Sequence, residues 1–362
     1  MVANPGKFFG RLFARPEPPQ VGPDTFLVWE PCTHSHAEVV PGFARYLLDL
    51  GYRVCVCMSP ARYDEGLFSR FEHPGLQLCR LSQAALRRHF RARGMENAAG
   101  MLITTARKIS GAGNYAMEER IFAGRTPRQP LLLVEHDIRE PMDLGALSPR
   151  IITLREVHYR NASTTVVNPH YFGRIDVPAR SGPVVRFITI GALRGRRRNA
   201  GLLIDAMSEL VAAGVRDFTV TVIGRGSLRS VPPELRPHLR VLGRVDFATL
   251  YEQMEQADFF LPLLDPGNPA HERYVTTGTS GSFQLILGFR KPCLIARRFA
   301  QVNGLDAGNA VIYEDNAGLA GAMVRAVAMT PESCRAMQQS LARMADSLYQ
   351  QSRENLRRLI DG

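Results

Sequence analysis

The chain has 362 residues, 45% hydrophobic and 22% charged, which is ordinary for a globular protein and long enough for two domains. No apolar run approaches the roughly 18 residues that cross a bilayer, so a membrane-spanning class is excluded. The net charge of +11 favours anionic partners, namely nucleotide phosphates, an anionic membrane face or nucleic acid. Nucleic acid is disfavoured by the lack of a helix-turn-helix, of finger spacing and of basic–aromatic interleaving.

Residues 1–24 form a Pro-rich basic tail. Phe8, Phe9, Leu12 and Phe13 can share one side of a short helix with Lys7, Arg11 and Arg15 nearby, a pattern that suits a membrane surface as well as a frayed end. Strand–helix alternation follows. TFLVWEP (Thr25–Pro31) reads as a buried strand, Ala37–Leu50 as a helix ended by Gly51, and YRVCVCM and LQLCRL as strands. LLLVEHDI (Leu131–Ile138), IITLREV (Ile151–Val157) and TTVVN continue the series, and TVVNPHYFG closes it with turn signals. Near-continuous apolar strands separated by helices predict a parallel sheet covered on both faces. VPARSGP (177–183) reads as a linker. The alternation then restarts with VVRFITIGAL, a helix capped by Asn199, FTVTVIG, LRVLGRV, the helix ATLYEQMEQA, DFFLPLL, PCLIA and NAVIY. From Pro331 the sequence reads as one or two long helices. The organisation is therefore α/β: a tail (1–24), a first Rossmann-like domain (25–176), the linker, a second Rossmann-like domain (184–330) and a helical tail (331–362) packing back on the first.

The six cysteines are scattered and none forms a CxxC pair. Cys55 and Cys57 share a strand face as buried thiols, and this spacing speaks against a zinc site. Together with the absence of a signal peptide, it predicts a cytoplasmic protein, with peripheral contact at the inner face of the plasma membrane as a further expectation.

Open parallel sheets bind ligands beyond the carboxyl ends of their strands. Three such loops in the second half are rich in small or basic residues. GALRGRRRN offers Gly191 and Gly195 for close backbone approach, with Arg194, Arg196, Arg197 and Arg198 beside a helix N-terminus, a diphosphate pocket in composition. IGRGS places Gly224, Arg225 and Gly226 directly after a strand. TTGTSGSFQLILGFRKP (Thr276–Pro292) presents Gly278, Thr279, Ser280 and Gly281 before an apolar helix. In the first half, CTHSHAE offers His34, His36 and Glu38, and VEHD offers Glu135, His136 and Asp137. A neutral imidazole can accept a proton or bind a sugar hydroxyl. His36 or Glu38 is the candidate base for an inverting reaction, and Arg139 and Arg155 are candidate contacts to an anionic acceptor. Solvated loops and helix caps are the plain alternative for all of them.

In this order, these segments resemble the GT-B glycosyltransferases, more narrowly the nucleotide-sugar-binding domain of the family 4-type group (glycosyl transferases group 1). The likeness is clearest over Val184–Ala296; over Thr25–Gly173, HSHAEVVPGFARYLLDLGYRV is similar to that group's first loop and helix. The resemblance implies two parallel-sheet domains facing across a cleft, and transfer of a hexose from a nucleotide-diphosphate sugar to a glycan or lipid-linked acceptor. It implies no metal and no cofactor beyond the donor. It assigns the diphosphate to Arg198 with Arg194, Gly191 and the Gly278–Gly281 loop, the nucleotide to Gly224–Gly226, and a contact to the transferred sugar to His136. The group's paired glutamates would fall at Thr277 and Leu285, neither of which is acidic. Asp265 and Glu272 are the acids left to take over a sugar or ribose contact. A retaining route, which asks least of the protein, is favoured over an inverting one. The rival expectations are a non-catalytic GT-B module in a glycan-assembly complex, and a nucleotide-sugar epimerase, which needs paired carboxylates.

Overall fold

A computed structural model describes residues 19–32, 36–93, 97–106, 129–143, 151–192, 198–226, 228 and 231–362. The tail residues Phe8–Phe13, and with them His34, Arg194, Gly195, Arg196 and Arg197, lie outside the described residues.

Two parallel sheets carry the molecule. The first contains β1 (Thr25–Trp29), β2 (Arg53–Met58), β3 (Leu76–Arg80), β4 (Gly100–Ile103), β5 (Leu131–Val134), β6 (Ile151–Thr153) and β7 (Thr165–Val166), in the order β3-β2-β1-β4-β5-β6-β7. The second contains β8 (Val185–Ile190), β9 (Phe218–Ile223), β10 (Leu239–Gly243), β11 (Phe259–Phe260), β12 (Cys293–Ala296) and β13 (Ala310–Tyr313), in the order β10-β9-β8-β11-β12-β13. Every pairing within them is parallel. The strands read as unbroken apolar runs because both faces are covered: all of TFLVW and CLIA is buried.

The strand order reverses twice, between β1 and β4 and between β8 and β11. These switch points open the crevices in which doubly wound sheets hold ligands. The strand β4, which neighbours β1 at the centre of the first sheet, has no counterpart among the strands read from the sequence. It is four residues long and opens on Gly100, where a β-carbon would lie 2.5 Å from the Phe26 ring. The run DFFLPLL yields only the two-residue β11, because Pro262 has no N–H to donate and Leu263 turns left-handed at φ 49°.

Helices cover both sheets, among them α1 (Val40–Asp49), α2 (Gln83–Arg93), α3 (Ala200–Ala212), α4 (Phe247–Gln256), α5 (Ser282–Gly288), α6 (Gly318–Val327) and α7 (Pro331–Asp361). Asn199 caps α3 by accepting from the Leu202 N–H at 3.0 Å. The C-terminal segment is one 31-residue helix capped by Thr330. It returns to the first sheet: Leu356 joins that core, Ser352 Oγ accepts from the Asn168 N–H at 2.9 Å, and Ala345 O meets His170 Nε2 at 3.0 Å. Phe172 is fully buried against Tyr251 and Phe289, and a β-carbon at Gly288 would collide with its ring.

The two halves touch along their strand-end loops. Tyr251 of α4 donates its hydroxyl to Leu67 O at 2.9 Å, and Phe247 N donates to Glu65 O at 2.9 Å. Arg70 pairs with Glu255, and Arg244 with Glu65. Across the cleft, Asp137 and Gly278 form an isolated β-bridge.

Candidate functional site

Consider the second sheet first. Gly191 ends β8 with φ 137° and Gly224 ends β9 with φ 146°, and the two backbones pack so closely that a β-carbon on Gly224 would strike the Gly191 carbonyl. Only glycine fits, because the conformation excludes other residues and the space excludes a side chain. Arg198 lies over this turn: its Nε is 3.2 Å from where a Gly191 β-carbon would stand. The Arg198 side chain is buried, and its Nη2 donates to Ser282 Oγ at 3.0 Å and Ser280 Oγ at 3.5 Å. Hydroxyls are neutral acceptors, so they orient the guanidinium without cancelling its charge. The β8 turn and the Ser280–Ser282 loop, 82 and 84 residues from Arg198 in sequence, thus converge on one cation.

The Gly278–Gly281 loop, which the resemblance assigns to the diphosphate, spends part of its backbone on the first half. Thr279 N donates to the His136 carbonyl at 3.0 Å, and Ile138 N donates to Thr277 O at 2.9 Å. The loop is thereby stitched to the first half, and the Thr279 amide is already used. Gly281 lies against the first half as well, because a β-carbon there would collide with Glu38 Oε1.

At the ends of the first sheet, His36 and His136 lie against each other with ring centroids 4.0 Å apart and planes tilted by 41°. His136 Nε2 lies 2.9 Å from Thr104 O, which fixes the proton on that nitrogen and leaves Nδ1 as the lone-pair site. Burial pushes the His136 pKa down to about 4, with the Thr104 contact opposing, so the ring is neutral at pH 7. Burial raises Glu38, opposed by its own backbone N–H and by Arg62. The backbone at His36 is left-handed at φ 69°.

One acid the sequence reading passed over is Glu30, at the carboxyl end of β1. It is fully buried and accepts from Thr104 Oγ1 at 2.8 Å, from Thr105 Oγ1 at 3.3 Å and from the Cys32 N–H. Burial pushes its pKa up to about 8, against the lowering effect of the Thr104 hydroxyl, the Cys32 amide and Arg62. The signal was present: a carboxyl closing the all-apolar run TFLVW at a strand end.

Several candidates have other work. Asp265 accepts from Asn316 Nδ2 at 2.7 Å, Gly267 N at 2.8 Å and Asn199 Nδ2 at 3.0 Å. Burial alone would raise its pKa, but the Asn316 and Asn199 contacts hold it below the usual carboxylate range. It ties the β11 loop to the cap of α3 and is not a free sugar ligand. Glu272 is exposed and pairs with Arg298 at 2.5 Å. Arg155 is buried and donates to Gly278 O at 2.9 Å and Tyr274 O at 3.1 Å, so it is a strut between the halves; burial pushes its pKa down to about 10. Arg139, Arg225 and Gly226 are exposed. Glu135 is buried at the end of β5, its amide bonded to Ile152 O at 2.9 Å. Thr277 and Leu285, where paired acids were looked for, are both buried, and Thr277 is 1% exposed.

The arrangement can do three things. Arg198 can hold a diphosphate against the glycine turns. The cleft wall of His36, His136 and Glu38 can meet hydroxyl groups with neutral or protonated partners, with Glu30 buried behind it. The stitched loop can exclude water from the space between them.

No family model and no curated protein matches the sequence. Solved structures do. The chain is similar to WaaG, a glycosyltransferase involved in lipopolysaccharide biosynthesis, at 12% identity and a TM-score of 0.50, over 91% of this chain and 98% of that one. It is similar to AviGT4, a glycosyltransferase involved in avilamycin A biosynthesis, at 14% identity and a TM-score of 0.56, over 93% of this chain and 98% of that one. At such identities the likeness is one of fold, and with the two parallel sheets it makes the architecture GT-B.

Proposed function

We propose that the chain is a glycosyltransferase that moves a hexose from a nucleotide-diphosphate sugar to a glycan or lipid-linked acceptor in bacterial surface polysaccharide or glycolipid synthesis. The observation that carries this reading is Arg198, a buried cation gathered by the Gly191 turn and the Ser280 and Ser282 hydroxyls at the switch point of the second sheet. There it offsets the charge that grows on the diphosphate as the sugar leaves. His136, neutral and set against the Gly278–Thr279 backbone, contacts the transferred sugar from the other side. The nucleotide lies along Gly224–Gly226.

Transfer proceeds with retention. An inverting route needs a strong base on the acceptor side. Burial raises Glu38 toward its protonated form, and His136, at about 4, is a weak base. The departing diphosphate is then the better proton acceptor, and it lies on the face it has just left. Neither a metal nor a further cofactor takes part in the transfer. The reaction is placed in the cytoplasm, with peripheral contact at the membrane. No helix among the described residues is long and apolar enough to cross a membrane.

Calorimetric titration with UDP-, GDP- and ADP-sugars, followed by a donor-hydrolysis assay, tests the reading. One nucleotide series is expected to bind and turn over, and proton NMR of the product is expected to show the donor's own anomeric configuration. Absence of both binding and hydrolysis across the three series would leave a non-catalytic module.

A further inference from the structure

Cys55, Cys57 and Cys79 are brought together on one face of the first sheet. Residues two apart on a strand share a face, and the β2–β3 register sets Cys57 opposite Cys79. Cys55 and Cys57 are fully buried and Cys79 is 2% exposed. Their three sulfur atoms lie within 4.8 Å of one another, and Cys55 Sγ and Cys79 Sγ are 3.3 Å apart. Tetrahedral zinc with bonds of about 2.3 Å spaces its thiolates about 3.8 Å apart, so these sulfurs need only small rotations to surround one ion.

The helix α2 covers this face. Trp29 Nε1 anchors its first turn by donating to Gln83 Oε1 at 2.8 Å, and its Leu86 is fully buried in the same cluster as the thiols. His89 follows Leu86 by three positions, which puts both on one side of the helix, and it interacts electrostatically with Cys79. The three sulfurs are the assembled group, and His89, which stands outside it on the covering helix, is the side chain that would turn in to complete the Cys3His set of a closed, structural zinc site.

We propose that Cys55, Cys57, Cys79 and His89 bind one zinc ion that fastens β2 and β3 to α2. On binding, the three thiols give up their protons to solvent and the imidazole coordinates as the neutral base, with no change of oxidation state. Since the thiols are enclosed, the ion enters as the domain folds. The site is independent of the transfer reaction, so the proposal stands or falls separately from it.

The test uses the full chain, refolded under reducing conditions with zinc chloride and, separately, with cobalt chloride. Elemental analysis after gel filtration is expected to find about one zinc per chain. The cobalt form is expected to show intense sulfur-to-cobalt charge-transfer absorption and the strong visible bands of tetrahedral cobalt. Cys57→Ser is expected to lose both, Cys293→Ser to keep both, and His89→Ala to keep charge transfer with altered visible bands. If Cys57→Ser does not fold, the wild-type spectra decide alone. A wild-type protein that folds with three titratable thiols here and carries no metal overturns the proposal, as does a Cys55–Cys79 disulfide in protein kept reduced.

Discussion

At the scale of single residues, burial shifts the titration of the acids and the imidazole at the first half's strand ends, Glu30, Glu38 and His136, while the second half contributes the buried guanidinium of Arg198. Arg198 is the one on which the functional reading turns. Substituting it by Ala is expected to weaken donor binding and cut turnover by about 100-fold or more, with the melting temperature within a few degrees of wild type. Unchanged turnover in that variant would move the diphosphate elsewhere. Glu30 makes a prediction about pH. Its folded pKa of about 8 lies above the ordinary 4.5 because burial penalises the charge. The folded chain therefore holds a proton that the unfolded chain gives up from about pH 4.5 upward. This contribution to stability is complete below 4.5 and is lost as pH rises through 8. Gln resembles the protonated acid, so Glu30→Gln is expected to exceed wild type by about 1–3 kcal/mol in urea unfolding at pH 8. The advantage should fade toward pH 4.5. His136 acts with the opposite sign below 6.5, but equally in both proteins, so the difference between them isolates Glu30.

At the scale of elements, the strand ends matter more than the strands. Gly224 and Gly191 let β8 and β9 end in contact, and this brings the Gly224–Gly226 loop to the turn that Arg198 covers. Gly224→Ala adds a collision with the Gly191 carbonyl to an unfavourable φ of 146°, and is expected to cost about 2–4 kcal/mol and to weaken donor binding. Gly214 has φ 81° and open space where a β-carbon would go, so Gly214→Ala is expected to cost only about 1 kcal/mol with donor binding unchanged. Urea unfolding and calorimetry of the pair separate the steric effect from the conformational one. These glycines were legible in the sequence as strand-end turns, since each follows an apolar strand directly. Their dependence on one another was not, because they lie 33 positions apart and meet only through β8–β9 pairing.

At the scale of the whole molecule, contacts that hold the halves together among the described residues include the α4 contacts to Glu65–Arg70, the Arg155 strut with the Asp137–Gly278 bridge, and the return of α7 to the first core. Leu356 is fully buried there although it lies in the last turns of the chain. Leu356→Ala is expected to destabilise the fold by about 2–4 kcal/mol by equilibrium denaturation, as removal of a core leucine does. A loss under 1 kcal/mol would mean that α7 docks only loosely. The same contacts explain the reassigned candidates. Arg155 read as an anion ligand because an Arg after a strand is one in many sites; here its hydrogen bonds go to the carbonyls of Gly278 and Tyr274. Asp265 read as a sugar contact because it follows a strand; its oxygens go to two asparagines and an amide.

The sequence by itself determined the class of fold, the positions along the chain of its apolar strands apart from β4, and the small or basic character of their ends. Hydrophobic periodicity and glycine placement are local properties, and they survive into any fold the chain can adopt. Tertiary structure alone decided which loops meet. It put Arg198 on Ser280 and Ser282, set His36 against His136, spent Asp265 and Arg155 on the protein's own polar groups, and gathered three thiols from two strands. Those outcomes depend on strand order and register. Both are set by how two buried sheets pack, and neither can be read from residues that stand 24 to 184 positions apart.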